Sequence, residues 1–422
     1  MAEHGRETAS PRGDWLRSRA HRGWLDVQGQ RLLDFSKQAA VPQGFAALDG
    51  HGRLSEEAKA DTILTARMTH CYAIAALRGL PGCAPLAAHG VQALLGPLRD
   101  ADHGGWYESQ QAAEQQGGRK QAYLHAFVGL AASSAVVAGI EQADLLLELA
   151  TEVLATRFWD QDEGVFLESF ALDWSDLEAY RGANANMHSV ESCLALADVT
   201  GDPVWRRRAL RVVERIIHTE AGKRGHAVAE HFDPAWQLLP DYHKDRPTDD
   251  LRPYGMTPGH FVEWSHLLLK LEAALLRESG EAPDWLLDDA RQLFETGMRC
   301  GWGADGSPGL LYTVDWDLEP VVHNRPHWCQ AEALVAAASL WQRTGQPVYQ
   351  QWYRDIWNYV DRHMIDREHG SWKQELDADQ QLSAEIYPGK ADLYHAWQAT
   401  MAPRLPLAPS MATAVAAQAE SF

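Results

Sequence analysis

Residues 160–169 read DQDEGVFLES, and the recurrence of this pattern decides the fold of the chain. An acidic turn leads to a glycine, after which apolar and polar residues alternate, as is typical of a tight turn that enters a short strand. Glycines that open such a segment occur at Gly44, Gly104, Gly164, Gly225, Gly309 and Gly370. Successive glycines are 60, 60, 61, 84 and 61 residues apart. The chain is therefore predicted to contain six repeats.

The sequence between the turns has the periodicity of helices, as in residues 58–79 and 326–345. Each repeat has room for two helices of about 12 to 18 residues. Six helix pairs predict an all-α fold, a closed (α/α)6 barrel with short β-hairpins. Its inner helices would be apolar all round, and its outer helices would carry a charged face, as in residues 205–218. An open helical solenoid is the alternative.

We expect a single catalytic domain over residues 1–422. Its core would run from about residue 20 to about residue 408, with flexible tails at both ends.

The composition excludes several classes of partner. The formal net charge is -20 and the pI is about 5.3, whereas nucleic acids and anionic membranes require a basic face. The five cysteines form no CxxC pair, which argues against a disulfide framework or a structural zinc site. The N-terminus lacks an apolar segment, so no signal peptide is expected and we predict a cytoplasmic protein. The most apolar stretch, residues 123–140, contains a histidine and two serines and is expected to be a buried helix.

Polar or ionisable residues recur at a nearly constant distance from the repeat glycines. In five repeats, 21 to 25 residues separate the glycine from such a residue, namely Arg67, His125 with Tyr123 beside it, His188, Glu332 with Trp328 one turn before it, and His395. In the repeat with the long interval, His260 follows at 35 residues. Inner helices with polar groups at one level would surround a pocket at one end of the barrel. For each histidine taken singly, a structural role in the core is the alternative.

The long interval contains residues 238–259, which are rich in proline, aspartate and charge. This segment leads directly into the predicted helix that carries His260. Long irregular loops in compact proteins are usually functional or disordered. We therefore predict that it forms a wall or lid of the pocket.

Two histidines are each followed three residues later by a glutamate, His188 by Glu191 and His260 by Glu263. On a helix each pair shares a face, and the carboxylate can fix the imidazole tautomer. His-x-x-Glu pairs also occur in metal sites, but no dense set of carboxylates accompanies these, so neither a metal nor another cofactor is expected. Histidine can accept and return a proton near pH 7, which suits proton abstraction beside a carbonyl. An inverting glycosidase would need two catalytic carboxylates instead.

The chain contains 17 tryptophans. Four of them are expected near the level of the pocket, namely Trp106, Trp264, Trp328 and Trp372. Aromatic faces combined with scattered polar groups are suited to a sugar, whose C–H faces are apolar and whose hydroxyls are polar.

Six ordered motifs resemble the N-acylglucosamine 2-epimerase superfamily, over roughly residues 24–406. They are TARMTH (65–70), KQAYLHAF (120–127), NANMHSVES (184–192), TPGHFVEWSHLLL (257–269), HWCQAEAL (327–334) and KADLYHAWQATMAPRLP (390–406). Within the superfamily they look most like the aldose–ketose isomerases, the branch of mannose isomerase and sulfoquinovose isomerase. The resemblance implies an (α/α)6 barrel that works without a metal.

The resemblance also implies roles for single residues. His260 and His395 would be the acid/base pair that moves a proton between C2 and C1 through a cis-enediolate. His188 would bind the substrate and help to open the sugar ring, and Arg67 would stabilise the developing negative charge. The other substrate-binding residues would be Tyr123, Asn184, Glu263, Trp328 and Glu332. His266 is expected to face away from the pocket and receives no role.

The expected reaction is the interconversion of D-mannose and D-fructose, with D-lyxose and D-xylulose as a second pair. The alternatives are a sulfoquinovose isomerase or a sugar 2-epimerase of the same superfamily, and a sugar-binding or partner-binding protein without turnover. A sulfonate requires a cationic subsite, which Lys244, Arg246 and Arg252 of the long loop could supply. Four aspartates in the same loop leave it without net positive charge, which favours a neutral sugar. The protein is expected to be a monomer or a homodimer.

Overall fold

A computed structural model of the chain describes residues 14–391 and 393–419. In chain order its helices are α1 (Arg19–Ser36), α2 (Thr62–Leu77), α3 (Cys83–Leu95), α4 (Gln110–Gln115), α5 (Ala122–Val137), α6 (Ala143–Val153), α7 (Ala183–Thr200), α8 (Val204–Val213), α9 (Pro258–Ser279), α10 (Trp285–Gly301), α11 (His327–Thr344), α12 (Pro347–Tyr359), α13 (Tyr394–Met401) and α14 (Met411–Ala419). Single π-helical segments extend α6, α8 and α12 at their carboxyl ends, over Leu154–Phe158, Glu214–Ala221 and Val360–Met364.

The helices form two concentric layers. Helices α2, α5, α7, α9, α11 and α13 form the inner ring, in which each helix contacts the next and α13 contacts α2. The outer layer consists of α1, α3, α6, α8, α10 and α12, each packed on an inner helix. The ring is therefore closed, and the predicted (α/α)6 barrel is confirmed.

Burial along the helices explains the two layers. In the inner helix α5, every residue from Leu124 to Ala135 is buried. In the outer helix α8, the buried residues are Trp205, Ala209, Val212 and Val213, which recur with the helical period on one face. A helix that is apolar all round can only be accommodated inside, whereas an amphipathic helix covers it and faces water.

The strands are short and form two-stranded antiparallel ladders. In chain order they are β1 (Ala40–Val41), β2 (Gly44–Phe45), β3 (Lys120–Gln121), β4 (Trp159–Asp160), β5 (Val165–Phe166), β6 (Ser169–Phe170), β7 (Arg181–Gly182), β8 (His231–Phe232), β9 (Thr313–Val314), β10 (Pro320–Val322), β11 (Arg325–Pro326) and β12 (Glu375–Leu376). The pairs are β1 with β2, β3 with β6, β4 with β5, β7 with β8, β9 with β10, and β11 with β12.

The repeat glycines have a common structural reason. All six have positive φ angles, between 62° and 138°, a conformation that residues with a β-carbon rarely adopt. At Gly309 an added β-carbon would also lie 2.5 Å from the ring of Tyr359. The recurrence seen in the sequence is thus the recurrence of one tight turn.

The ordered part of the chain extends beyond the predicted boundary near residue 408. Helix α14 packs against α2, α5 and α7, and its buried residues include Met411, Ala412 and Val415. The prediction of a flexible tail from residue 408 is therefore wrong for residues 411–419. The predicted N-terminal tail falls mostly on residues 1–13, which lie outside the described part of the chain, as do residues 420–422.

None of the helices in the described ranges combines the length and the apolar character that crossing a lipid bilayer requires.

Candidate active site

A cavity of about 410 Å³ opens at the amino-terminal ends of the inner helices, within the size range of small-molecule sites. Its lining includes eight of the nine predicted site residues, namely Arg67, Tyr123, Asn184, His188, His260, Glu263, Trp328 and His395. It also includes residues that the sequence reasoning missed, among them Asp61, Glu108, Gln121, Asp250, Tyr312, His327, Gln374 and Tyr387.

A repeated backbone contact fixes the level at which the inner helices begin. The first N–H of α2, at Thr62, donates to the carbonyl of Glu108 at 3.0 Å. The first N–H of α5 donates to Glu168, and that of α7 donates to Glu230 at 3.0 Å. Each acceptor belongs to the segment that follows the glycine of the next repeat. Because helix amino termini otherwise leave unsatisfied N–H groups, this contact places side chains of successive helices around one cavity.

His260 is held by a glutamate that the sequence reasoning missed. His260 is the third residue of α9, and its Nδ1 pairs with Oε1 of Glu230 at 2.8 Å. Glu230 is buried and directly precedes β8. The prediction that His260 pairs with Glu263 is wrong. The carboxyl of Glu263 lies toward His188 instead, with its Oε1 3.8 Å from Nε2 of that histidine.

A signal for Glu230 was present in the repeats. A glutamate follows the repeat glycine by four or five residues in four of the six units, at Glu108, Glu168, Glu230 and Glu375. The structure shows that this position lies beside the starts of the inner helices.

His395 is held by Glu332, which was predicted to bind substrate. Oε1 of Glu332 pairs with Nδ1 of His395 at 2.7 Å, and Oε2 pairs with Nε2 of His266, also at 2.7 Å. Both carboxylate oxygens thus face histidines, and Glu332 is not part of the cavity lining. His266 does not line the cavity, as expected, and its side chain is buried against Glu332.

His260 and His395 flank Trp328 in the cavity. The tryptophan ring centroid lies 5.1 Å from that of His260 and 6.0 Å from that of His395. In both histidines Nδ1 is used by a glutamate, while Nε2 has no hydrogen-bond partner within residues 14–391 and 393–419. Both rings can therefore exchange a proton with a molecule in the cavity.

His188 lies at the inner end of the cavity, above an ionic group. Its Nδ1 is 3.6 Å from Oε2 of Glu191, and that oxygen also accepts a 2.5 Å hydrogen bond from Tyr394. Lys270 lies 4.0 Å from the other carboxylate oxygen. Burial lowers the pKa of His188 to about 4, although Glu191 opposes this. His188 is therefore neutral at pH 7.

The buried carboxyls beneath the cavity differ in charge. Burial raises the pKa of Glu191, but the hydrogen bond with His188 and the charge of Lys270 outweigh this effect and lower the pKa to about 2. The pKa of Glu332 is lowered in the same way, by its hydrogen bonds with two histidines. Burial and the nearby charges of Glu332 and Glu191 raise the pKa of Glu263 well above its ordinary value. Burial and neighbouring negative charge thus favour the protonated form of Glu263 over the charged one.

Arg67 supplies positive charge beside the cavity. Its guanidinium donates to the hydroxyl of Tyr123 at 2.8 Å and lies 4.3 Å from the ring centroid of Phe127. Across the cavity, the side-chain amide of Asn184 donates to the carbonyl of Leu251 at 3.5 Å, which ties helix α7 to the long loop.

The predicted loop 238–259 forms a wall of the cavity through Asp250 and Leu251. The hydroxyl of Tyr387 donates to the carbonyl of Asp250 at 2.8 Å, and that of Tyr312 donates to the carbonyl of Asp249 at 2.8 Å. Arg252 forms ion pairs with Glu168 and Glu178. The prediction that the loop closes one side of the pocket is confirmed.

Not every residue of the predicted ring lies at the cavity. His125 is fully buried, with Nδ1 against the carbonyl of Gln121 and Nε2 accepting from the N–H of Trp106. Burial lowers its pKa to about 3, so it is a neutral structural residue. Trp106, Trp264 and Trp372 are likewise core residues, and of the four tryptophans predicted near the pocket only Trp328 lines it.

Within residues 14–391 and 393–419, no three His, Cys, Asp or Glu side chains are grouped so that they could hold a metal ion. The polar groups of the cavity include the two glutamate-held histidines, the neutral His188, the carboxyl of Glu263 and the guanidinium of Arg67. This set can accept and donate protons and stabilise an oxyanion.

Comparison with known proteins decides the family. The N-acylglucosamine 2-epimerase (GlcNAc 2-epimerase) family matches residues 44–399. The chain belongs to this family. It is 56% identical over 403 residues to a D-mannose isomerase of Pseudomonas cannabina pv. alisalensis, which covers 95% of this chain and 97% of the relative.

Two further proteins support the assignment. A D-mannose isomerase of Thermobifida fusca is 47% identical over 408 residues, 95% of this chain and 98% of the relative. A crystal structure of D-mannose isomerase superposes with a TM-score of 0.82 at 27% identity, covering 94% of this chain and 99% of that one. This member of the N-acylglucosamine 2-epimerase family is thus an isomerase of the intramolecular oxidoreductase type, and the resemblance seen in its motifs is confirmed.

Proposed function

We propose that the protein interconverts D-mannose and D-fructose by proton transfer through a cis-enediolate, without a metal. The observation that carries the proposal is the pair His260 and His395. Each is held at Nδ1 by a buried glutamate and faces the same cavity with Nε2. The D-mannose isomerases that resemble the chain support the choice of sugar.

The chemistry requires one group that exchanges a proton with carbon and another that exchanges protons with oxygen. One histidine removes the proton from C2 of the open-chain aldose, which leaves an enediolate with its negative charge on O1. The proton of the C2 hydroxyl moves to O1, so that the charge lies on O2. The enediolate then receives a proton at C1, and C2 becomes the ketone carbon. Two histidines on either side of Trp328 can divide these transfers between them.

The other cavity residues have roles that follow from their charge. Arg67 stabilises negative charge on the enediolate oxygens, and the amino termini of the inner helices favour the same charge. His188 is neutral, so it can accept the proton of the anomeric hydroxyl and return it to the ring oxygen when the sugar opens. Glu263 and Asn184 bind hydroxyls, and Trp328 packs on the apolar face of the sugar.

The charges of the long loop favour a neutral sugar over a sulfonated one. Lys244 pairs with Asp241 at 2.8 Å, Arg246 lies 3.9 Å from Asp249, and Arg252 pairs with Glu178 at 2.6 Å. These cations are already neutralised by carboxylates of the protein. A sulfonate would have to displace those partners.

The experiment is to incubate the protein with D-mannose, D-lyxose, D-glucose and sulfoquinovose, each with and without EDTA, and to separate the products by chromatography. The proposal predicts D-fructose from D-mannose at the same rate in EDTA. Formation of D-glucose alone from D-mannose would show a 2-epimerase. Loss of activity in EDTA with rescue by a divalent ion would contradict the metal-free mechanism.

A further inference from the structure

His266 is a buried histidine of helix α9 that contacts no part of the cavity. We propose that it is a positioning residue that acts through Glu332 to hold His395 in the tautomer with a free Nε2, the form able to take a proton from the sugar. This inference rests on the proposed function, in which His395 exchanges a proton with the substrate.

The geometry of Glu332 carries the first step. Its two oxygens lie 2.7 Å from Nδ1 of His395 and 2.7 Å from Nε2 of His266, and all three residues are buried. An ionised carboxylate only accepts hydrogen bonds. Each histidine must therefore carry its proton on the nitrogen that faces Glu332, which leaves Nε2 of His395 as a base.

The surroundings of His266 carry the second step. Its Nδ1 is buried and has no hydrogen-bond partner among the described residues. A second proton there would be an unpaired buried donor, which is costly. Burial accordingly lowers the pKa of His266. His266 is thus a neutral ring with its one proton directed permanently at Glu332.

The third step is the effect on Glu332. Donation from His266 helps to keep this buried carboxyl ionised, with its pKa lowered. A protonated Glu332 could donate to Nδ1 of His395 and would then place the histidine's own proton on Nε2, where it blocks proton abstraction. The hydrogen bond from His266 prevents this change of tautomer. It also weakens the hydrogen bond between Glu332 and His395, because both histidines share one carboxylate.

Other charged or titratable groups surround this trio on the packed helices. They are Arg67 and His70 on α2, His188 and Glu191 on α7, Glu263 and Lys270 on α9, His327 on α11 and Tyr394 on α13. The two oxygens of Glu332 face His395 and His266, so His266 supplies a second donor to this carboxylate.

The test is the pH dependence of kcat/KM in His266→Gln and His266→Met, two side chains of similar size. The amide nitrogen of glutamine can occupy the place of Nε2 and donate to Glu332, whereas methionine cannot. In His266→Met, Glu332 holds the proton of His395 more tightly, so the acid limb of the profile moves to higher pH by about half to one unit. The plateau of kcat/KM falls roughly ten-fold.

In His266→Gln the acid limb stays at the wild-type position. If methionine prevents folding, His266→Asn serves in its place, because its shorter amide does not reach Glu332 and should give the same shift. The proposal would be overturned if the acid limb of kcat/KM lay at the same pH in all variants and the wild type. It would also be overturned if His266→Gln and His266→Met shifted this limb equally. The profiles are measured on whichever aldose the wild type converts, so failure on D-mannose would refute the substrate and leave this test intact.

Discussion

The two sides of the cavity hold their histidines in different ways. On one side, His260 pairs with Glu230, which precedes a strand 30 residues earlier in the chain. On the other, His395 pairs with Glu332, which lies on the inner helix α11 and is shared with His266. Among residues 14–391 and 393–419, His260 and Glu230 form a dyad, whereas His395, Glu332 and His266 form a triad. Two histidines near the amino ends of inner helices are thus held by different sets of buried partners.

The largest effect is expected from removal of either histidine. His260→Ala and His395→Ala should each lower kcat by about a hundred- to ten-thousand-fold, because each loses a general acid–base group, with smaller changes in KM. Steady-state kinetics on D-mannose measures this, with circular dichroism as the control for folding. A near-normal kcat in a folded variant would show that the histidine has no part in the mechanism. The comparison of the two sides of the cavity would then lose its basis.

The second prediction separates the dyad from the triad. In Glu332→Gln, one carboxamide oxygen cannot accept from both His395 and His266, so one histidine must change tautomer or lose its hydrogen bond. In Glu230→Gln, the amide oxygen can still accept from His260. We expect kcat/KM to fall about a hundred-fold for Glu332→Gln and about ten-fold for Glu230→Gln, since leaving a buried polar group unsatisfied costs about 1–3 kcal/mol.

The comparison between these two variants is made at equal folded concentration, with thermal unfolding as the control. Equal losses, or a larger loss in Glu230→Gln, would show that the second histidine contact of Glu332 has no effect on catalysis.

The third prediction contrasts two buried histidines that the repeat spacing placed at the same level. His125→Ala should lower stability by about 3 kcal/mol, because it leaves a cavity and removes the acceptor of the Trp106 N–H. The activity of the folded fraction should be retained. His188→Ala should have the opposite signature, with a Tm near the wild type and activity reduced roughly ten-fold or more. The measurements are thermal melts and specific activity, and matching signatures would contradict the assignment.

The smallest effect is expected at the loop. Tyr387→Phe removes the hydrogen bond to the carbonyl of Asp250, a contact worth about 0.5–1.5 kcal/mol. KM should rise about two- to ten-fold with little change in kcat, because the wall is loosened but the histidines are not touched. A fall in kcat at constant KM would indicate that this contact acts on the chemical step.

Much of the fold could be predicted from the sequence because the turn glycines repeat. Positive φ favours glycine at each of them, so the repeat length and the number of helix pairs are visible in the chain. Eight residues of the cavity lining could be predicted for the same reason, since equivalent positions on equivalent helices lie at one level.

The partners of the histidines could not be predicted in this way. The rule that residues three apart share a helix face pointed to Glu263, but His260 turns toward the neighbouring strand segment and Glu230. His125 lies at nearly the same distance from its repeat glycine as the cavity residues of the other repeats. Tyr123, two residues earlier, points from another side of the helix, so that Tyr123 lines the cavity and His125 lies in the core. His266 is connected to the site only through Glu332, a contact across 66 residues that no local spacing reveals.

The most direct test of the account is solvent isotope incorporation. D-mannose is converted by the wild-type protein in deuterated water through many turnovers, and the fructose is analysed by mass spectrometry and NMR for deuterium at C1. Proton transfer by His260 and His395 predicts deuterium at C1, because the proton held by a histidine can exchange with solvent before it returns to carbon. Fructose without deuterium at C1 after many turnovers would show direct hydride transfer between C2 and C1 and would contradict the account.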